Sequence, residues 1–259
     1  MILEYHRPSK IDDVIALLAR AEPPTVLVGG GTTLERFSTR PVAVVDLQAI
    51  GLDTFERQGN SLQIGATLTL QRLADALKHE KLENLAGLQQ AIGREANYNL
   101  RQVGTVAGAL VSADGRSPFA TAMLALDAGL RLQPGDEQVG LGDVLPLRSE
   151  RLAHRLITAV TIPLNVRLAY EYVARSPADL PIVCAAVASW PAGRTRVALG
   201  GFGAAPVLAF DGTEAEGSET AARDAYSQAS DEWASAEYRQ EIAGVLVKRC
   251  IAAMAEPAA

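Results

Sequence analysis

Two stretches of this chain carry residue types that could do chemistry, and both are built on glycine and hydroxyl side chains. In the first, Thr25-Val26-Leu27-Val28 runs straight into Gly29-Gly30-Gly31-Thr32-Thr33-Leu34. Three adjacent glycines leave the backbone free to take positive φ and put no Cβ between its amides and an approaching group. Such a turn can aim successive N–H groups into one concavity, which suits a phosphate or pyrophosphate. The plainer reading is a strand that ends in a flexible turn. The run is not GxGxxG, and no P-loop lysine follows it. The second stretch runs from Asn97 to Ala109, with Tyr98 and Arg101 upstream of Gly104, Thr105 and Gly108, and with Ser112 and Asp114 just beyond. Asp114 precedes a helix start, where an aspartate serves either as an ordinary turn residue or as a partner for a ligand hydroxyl.

Acid–base chemistry is thin elsewhere. His6, His79 and His154 are scattered, with no partner at metal or catalytic spacing. No nucleophile elbow, HExxH or CxxC occurs. Cys184 and Cys250 are too few and too far apart for an iron–sulfur cluster or a structural zinc. Tyr98 and the pair Tyr170/Tyr172 suit either a core or a platform for a cofactor ring. What remains is two glycine/threonine turns that could converge on a phosphorylated cofactor.

The elements that would position these turns follow from periodicity. Ser9 can cap a helix with Ile11, Val14, Ile15 and Leu18 on one face, ended by Pro23-Pro24. Strands Thr25–Val28 and Val42–Leu47 then make the opening α-β-turn-β, the reverse of the strand–turn–helix order of a nicotinamide-binding unit. Ser61–Thr67 alternates as a strand, and Thr69 caps a helix with Leu70, Leu73, Ala74 and Leu77 on one side. A helical segment from about Leu82 to Gly93 precedes the second stretch, which reads as a turn. Ser117-Pro118 opens a further helix, and Arg155–Leu164 is a strand. From Arg167 onward the texture changes to strands separated by Pro and Gly turns. These are the alternating Leu168-Tyr170-Tyr172 segment, Ile182–Trp190, Thr195–Gly200 and Pro206–Phe210. A small-residue helix within Thr213–Ser230 follows, and Ser235 caps a last helix with Ile242, Val245, Leu246 and Arg249 on a shared face.

At 259 residues the chain can bury one large core or two smaller ones. A net charge of −6 without a basic run argues against nucleic acid or an anionic membrane as partner. The N-terminus lacks the apolar segment of a secretion signal, and no apolar run approaches a membrane span. Two unpaired cysteines fit a reducing cytoplasm.

With both turns in view, the chain resembles the FAD-binding medium subunit of the molybdenum hydroxylases, the family of xanthine dehydrogenase and aerobic carbon monoxide dehydrogenase. Leu27–Leu34 is similar to that family's first flavin loop, with Thr33 where aspartate is usual. Val45-Asp46-Leu47 and Ile64-Gly65-Ala66-Thr67-Leu68-Thr69 resemble two of its strands, and Gly104–Asp114 resembles its second loop. Ser235–Arg239 followed by Val245–Arg249 is similar to the signature of its C-terminal domain.

The resemblance implies an α+β fold: a two-subdomain PCMH-type FAD-binding domain over residues 1–165, divided near 55, then a smaller α/β domain of the CO dehydrogenase flavoprotein type over 166–259. It implies that Val28, Gly29, Gly30, Gly31, Thr32, Thr33, Leu34, Gly104, Thr105, Gly108, Ser112 and Asp114 hold the FAD, with Tyr98 near its ring. It further implies a molybdopterin-containing large subunit and a [2Fe–2S] small subunit as partners, with this chain passing electrons to an outside acceptor. The alternative is an assembly subunit that kept the fold and lost the flavin; a stand-alone flavin oxidase is a third reading, against which the Ser235–Arg239 signature speaks. Ala107 and Ala109 stand where the family's second loop has Gly and Asn, Gly115 replaces a Pro, and Pro118 stands where Asp is common. Two lost ligand hydrogen bonds predict an FAD affinity roughly ten- to a hundredfold below that of relatives with the full loop.

Overall fold

The computed structural model describes residues 1–33 and 41–255. Strand β1 (Ile2–His6) precedes helix α1 (Ile11–Leu18), β2 (Thr25–Val28) and β3 (Val42–Asp46). A hairpin of β4 (Phe55–Gln58) and β5 (Ser61–Gly65) leads into α2 (Leu70–His79) and α3 (Ala86–Glu95). Then come α4 (Tyr98–Val103), α5 (Val106–Ser112) and α6 (Pro118–Ala125). A second hairpin, β6 (Gly129–Gln133) and β7 (Glu137–Gly140), is followed by single turns α7 (Leu141–Val144) and α8 (Arg148–Arg151) and by β8 (Leu156–Pro163). The last part holds β9 (Arg167–Val173), β10 (Val183–Ser189), β11 (Thr195–Gly200) and β12 (Val207–Gly212). It closes with α9 (Ser218–Ala225) and α10 (Ala236–Ala255).

These elements form two compact units that interleave along the chain. The first comprises Met1–Leu73, Tyr98–Ser112 and Gly129–Thr161; the second comprises Ala74–Asn97, Ala113–Ala128 and Ile162–Ala259. The first unit holds a parallel three-stranded sheet in the order β1-β3-β2 and a five-stranded sheet in the order β4-β5-β8-β6-β7. The central β3, Val-Ala-Val-Val-Asp, is buried throughout, as expected of a parallel strand covered on both faces. Helix α1 places Val14 and Leu18 against Val45, Leu47 and Leu156. The strand β1, absent from the sequence reading, runs parallel beside β3 with Tyr5 opposite Val44. Its Ile2, Leu3 and Tyr5 are exposed, so it lacks the alternation that marks a half-buried strand.

Thr69 caps α2 as expected, its Oγ1 accepting from Arg72 N at 3.2 Å, and Leu70, Leu73 and Leu77 are buried on one face. The second glycine stretch departs from the expected turn. It forms the two short helices α4 and α5, broken only at Gly104-Thr105, where Thr105 Oγ1 accepts from Gly108 N at 3.2 Å. A threonine at that break satisfies a helix-start donor, which is why the two residues Gly104-Thr105 are enough to begin a new helix.

The second unit is built on the antiparallel sheet β12-β11-β10-β9. The middle strand β10 is buried from Val183 to Ala188 and meets both α6 and α10. The buried face of α10 is Arg239, Ala243, Leu246, Val247 and Cys250, with Ile242 and Val245 half-buried and Arg249 exposed. The expected face was therefore rotated: small Ala243 and Gly244 let α9 approach, and the helix turns that side inward. Among the described residues no helix is long and apolar enough to cross a membrane.

Ser117 caps α6 through Ala120 N, with Pro118 as the first helical residue. The cap has a second member that the sequence did not disclose. Glu95, at the end of α3, accepts from both Ser117 Oγ (2.8 Å) and Phe119 N (2.9 Å). Its carboxyl end is buried although the residue as a whole is half-buried, and burial raises its pKa to about 7 against the pull of those two donors. A carboxyl whose folded pKa lies above its unfolded value stabilises the fold at low pH and loses that contribution as pH rises. Glu95→Gln, which keeps an acceptor for Phe119 N, is expected to flatten the pH dependence of stability between 4.5 and about 7. Urea midpoints of wild type and variant at pH 5 and pH 8 check this; an unchanged slope between them would contradict it.

Candidate functional site

A cavity of about 770 Å³ lies in the first unit, a size that falls within the range of small-molecule and cofactor sites. Its walls bring together Val28, Gly29, Gly30, Gly31, Thr32 and Thr33 from the first stretch and Thr105, Gly108 and Ser112 from the second. The two stretches singled out in the sequence thus meet on one cavity. Leu34 lies outside the described residues. Gly104 is buried behind the lining, its amide donating to Leu100 O at 2.7 Å. Tyr98 is not in the lining: the residue is 59% exposed, with the Arg101 guanidinium 5.9 Å from its ring centroid. Asp114 belongs to the second unit, where its Oδ1 accepts from Arg116 N at 2.8 Å in an ordinary Asx turn.

The glycines owe their place to two different causes. A Cβ on Gly30 would sit 1.7 Å from Val103 O, and one on Gly29 would sit 2.5 Å from Thr105 Oγ1. These two residues are glycine because the second stretch packs directly against them, the Val103–Gly104 backbone against Gly30 and the Thr105 side chain against Gly29. Gly31 alone of the three has positive φ, +70°, the left-handed conformation that glycine adopts at no steric cost. Residue type alone offers a flexible turn or the approach of a ligand for all three, and packing against the second stretch is legible in neither.

The donors are divided just as unevenly. At the start of α5, Val106 N donates to Leu68 O (2.9 Å), Ala107 N to Ala66 O (3.1 Å) and Ala109 N to Thr105 O (2.8 Å). With Gly108 N on Thr105 Oγ1, the helix-start amides are spent. The amides of Gly30, Gly31, Thr32 and Thr33 have no hydrogen-bond acceptor among the described residues. A run of unspent amides in a glycine turn is a nest for an anion, and the Thr32 and Thr33 hydroxyls add donors beside it. Arginine charge near the lining is already matched: Arg20 forms a two-pronged pair with Glu4 (2.8 and 2.9 Å), and Arg155 pairs with Glu137. The Arg20 hydrogen bond, together with that of His6, holds the Glu4 carboxyl down to about 2. Among the described residues the turn therefore offers an anion backbone donors rather than loose cations.

Several lining residues escaped the sequence reading. Thr67 (8% exposed) and Ala66 come from the strand motif quoted above but were not singled out as ligands. Leu18, Arg20 and His154 join the lining through tertiary structure alone. His154 has φ +56° and its Nδ1 bonds to Leu18 O at 2.7 Å, tying the chain before β8 to the end of α1. No local pattern marks such a residue.

A family profile described as "FAD binding domain in molybdopterin dehydrogenase" matches residues 1–165, more than half of the chain. The chain is 29% identical over 253 residues to the uncharacterized protein YgfM of Escherichia coli (strain K12), covering 95% of this chain and 94% of that one. It is 27% identical to the nicotine 6-hydroxylase medium subunit of Paenarthrobacter nicotinovorans, with 96% of each chain covered. It is 29% identical to the carbon monoxide dehydrogenase medium chain of Afipia carboxidovorans, with 96% and 95% covered. Among solved structures, a chain of the Cu,Mo-CO dehydrogenase in its cyanide-inactivated form superposes with a TM-score of 0.82 at 25% identity, with 97% of both chains covered. This α+β chain, with its glycine turn and its nest of unspent amides, belongs to the family of FAD-binding domains in molybdopterin dehydrogenases, as an oxidoreductase medium subunit whose cofactor is FAD.

Proposed function

We propose that this chain is the electron-transfer subunit of a molybdenum hydroxylase complex. A molybdopterin-containing large subunit oxidises the substrate, a [2Fe–2S] small subunit relays the electrons, and the FAD-binding chain passes them to an acceptor such as NAD or a quinone. The observation that carries the reading is the row of unspent amides from Gly30 to Thr33 at a cavity of about 770 Å³. It favours a flavin-holding subunit over an assembly subunit that has lost the cofactor. FAD, when bound, supplies reversible uptake and release of two electrons.

In this reading the chain's own residues bind and orient. The amides of Gly30, Gly31, Thr32 and Thr33 hold the pyrophosphate, and Thr105, Gly108 and Ser112 form the facing wall. Gly104 acts behind that wall by letting the two stretches close on each other. The functional domain would span residues 1–165. Cys184 and Cys250 are free and buried, and burial raises the Cys184 thiol to about 11. They remain thiols and supply no cluster ligands, which suits a cytoplasmic protein whose iron–sulfur centre sits on another subunit.

The test is an absorbance spectrum of the purified chain loaded with FAD. NADH is expected to bleach the flavin bands between about 350 and 500 nm by reducing the cofactor. A hydroxylase substrate added to the isolated chain is expected to leave them unchanged. Bleaching by such a substrate would overturn the division of labour, and failure to take up FAD would overturn the binding site.

A further inference from the structure

We propose that Asp46 and Gln48, which lie outside the cavity lining, are positioning residues. They fix the peptide between Gly29 and Gly30 so that the Gly30 N–H is presented to a phosphate of the cofactor. The inference rests on the FAD reading above and extends it to residues that touch no ligand.

Asp46 ends β3 directly opposite Val28, the last residue of β2. It is nine-tenths buried, and its two carboxylate oxygens do separate work. Oδ2 accepts from Tyr5 OH at 2.6 Å and lies 3.5 Å from Arg7 Nε, which anchors the carboxylate to β1. Oδ1 accepts from Gln48 N at 2.9 Å, bending the chain as it leaves the sheet. Leu47 N donates to Val28 O at 2.9 Å and keeps that bend beside the neighbouring strand. The bend carries the Gln48 side chain over the glycine turn, where Nε2 donates to Gly29 O at 3.3 Å. Only the amide nitrogen of Gln48 can face a carbonyl, so the contact has one orientation.

That contact decides where Gly30 points its donor. The peptide between Gly29 and Gly30 is trans, and in a trans peptide C=O and N–H project to opposite sides. Holding Gly29 O on Gln48 turns the Gly30 N–H to the other side of the plane, and that N–H has no acceptor among the described residues. Glycine peptides are the least restrained in a chain, so a plane between two of them needs an outside hold to keep one direction. A donor fixed in advance spares the ligand the cost of ordering it.

The experiment titrates FAD into flavin-free protein by fluorescence quenching for wild type, Gln48→Ala, Asp46→Ala and the double variant. Thermal unfolding of each flavin-free protein is measured in parallel. Gln48→Ala is expected to weaken FAD binding about three- to tenfold with the unfolding midpoint unchanged, because Gln48 is exposed and its loss frees one peptide plane. The double variant is expected to bind no more weakly than Asp46→Ala alone, since both residues act on the same peptide. FAD affinity unchanged in Gln48→Ala, or lost only in step with the midpoint, would overturn the positioning role. Wild-type protein that fails to bind FAD would instead overturn the cofactor reading itself.

Discussion

Gly30→Val is expected to reduce FAD affinity by about a hundredfold or more, because it moves the donors that would face the pyrophosphate. The added Cβ would lie 1.7 Å from Val103 O and 2.5 Å from its carbon, far inside contact distance. The opposing backbone has little room to yield. Gly104 N is held by Leu100 O at 2.7 Å, Gly104 O accepts from Leu70 N at 2.9 Å, and Thr105 bridges to Thr69. The glycine turn must therefore retreat, carrying the amides of Gly30 to Thr33 away from their present positions. Overpacking of this kind typically costs about 1–3 kcal/mol of stability, which a two-unit protein can survive. A quenching titration, run on variant protein shown to be folded by circular dichroism, separates the two effects. Full flavin retention by a folded variant would remove the turn from the binding site.

Arg239→Met is expected to destabilise the second unit by about 3–5 kcal/mol, the usual cost of removing one partner from a buried charge network. The guanidinium is fully buried and donates to Ala229 O (2.6 Å), Ala234 O (3.0 Å), Ile182 O (3.3 Å), Gly201 O (3.5 Å) and Asp231 Oδ1 (2.8 Å). Its flat face also lies 5.1 Å from the centre of the Phe202 ring. Methionine fills part of the volume and supplies none of the donors, so four carbonyls lose a donor together and the Asp231 carboxylate keeps only the Trp233 and Ala234 amides. Burial works to raise the Asp231 carboxyl, and the hydrogen bonds from Arg239 and from the Trp233 and Ala234 amides hold it low. Lysine would not rescue the site, since one ammonium cannot reach acceptors arranged around a planar fork. Thermal unfolding should show a midpoint lower by about 10 °C. A midpoint within about a degree of wild type would mean that those carbonyls find other donors.

The parts of the fold legible in the sequence are those where one face is buried and the other is wet. Helix α1, strand β5 and strand β9 show their period directly, and capping by Thr69, Ser117 and Ser235 follows from residue type and place, whereas the expected Ser9 cap is not made and α1 starts after Lys10 without a side-chain cap. Strand β1 was hidden because it is a sheet edge with exposed apolar side chains. The β6–β7 hairpin went unread although Leu130 and Leu132 alternate along β6. The second glycine stretch read as a turn because its composition is small and polar, whereas tertiary partners at Leu68 and Ala66 make its amides start a helix. Arg239 stood inside a recognised signature, yet nothing about an arginine at a helix start announces complete burial. For the site, residue type placed the glycines and threonines on one cavity but misjudged the cause. Gly29 and Gly30 answer to protein backbone and side chain across the gap, a relation between stretches about seventy-five residues apart that no local pattern carries.

The interleaving of the two units also orders events during synthesis. Every residue that lines the cavity has been synthesised once Ile157 has been added. The helices α3 and α6 are made by then too, but the strands β9–β11 against which they pack, and the helix α10 beyond, are still to come. At about 5–20 residues per second, the stretch 162–259 takes on the order of 5–20 s to complete. For that interval Leu88, Ile92, Phe119 and Met123, all buried in the finished protein, have no sheet to cover them. The nascent chain thus carries a complete set of cavity-lining residues together with two helices whose buried faces are still uncovered, and the cell has to shelter the second while the first is already made.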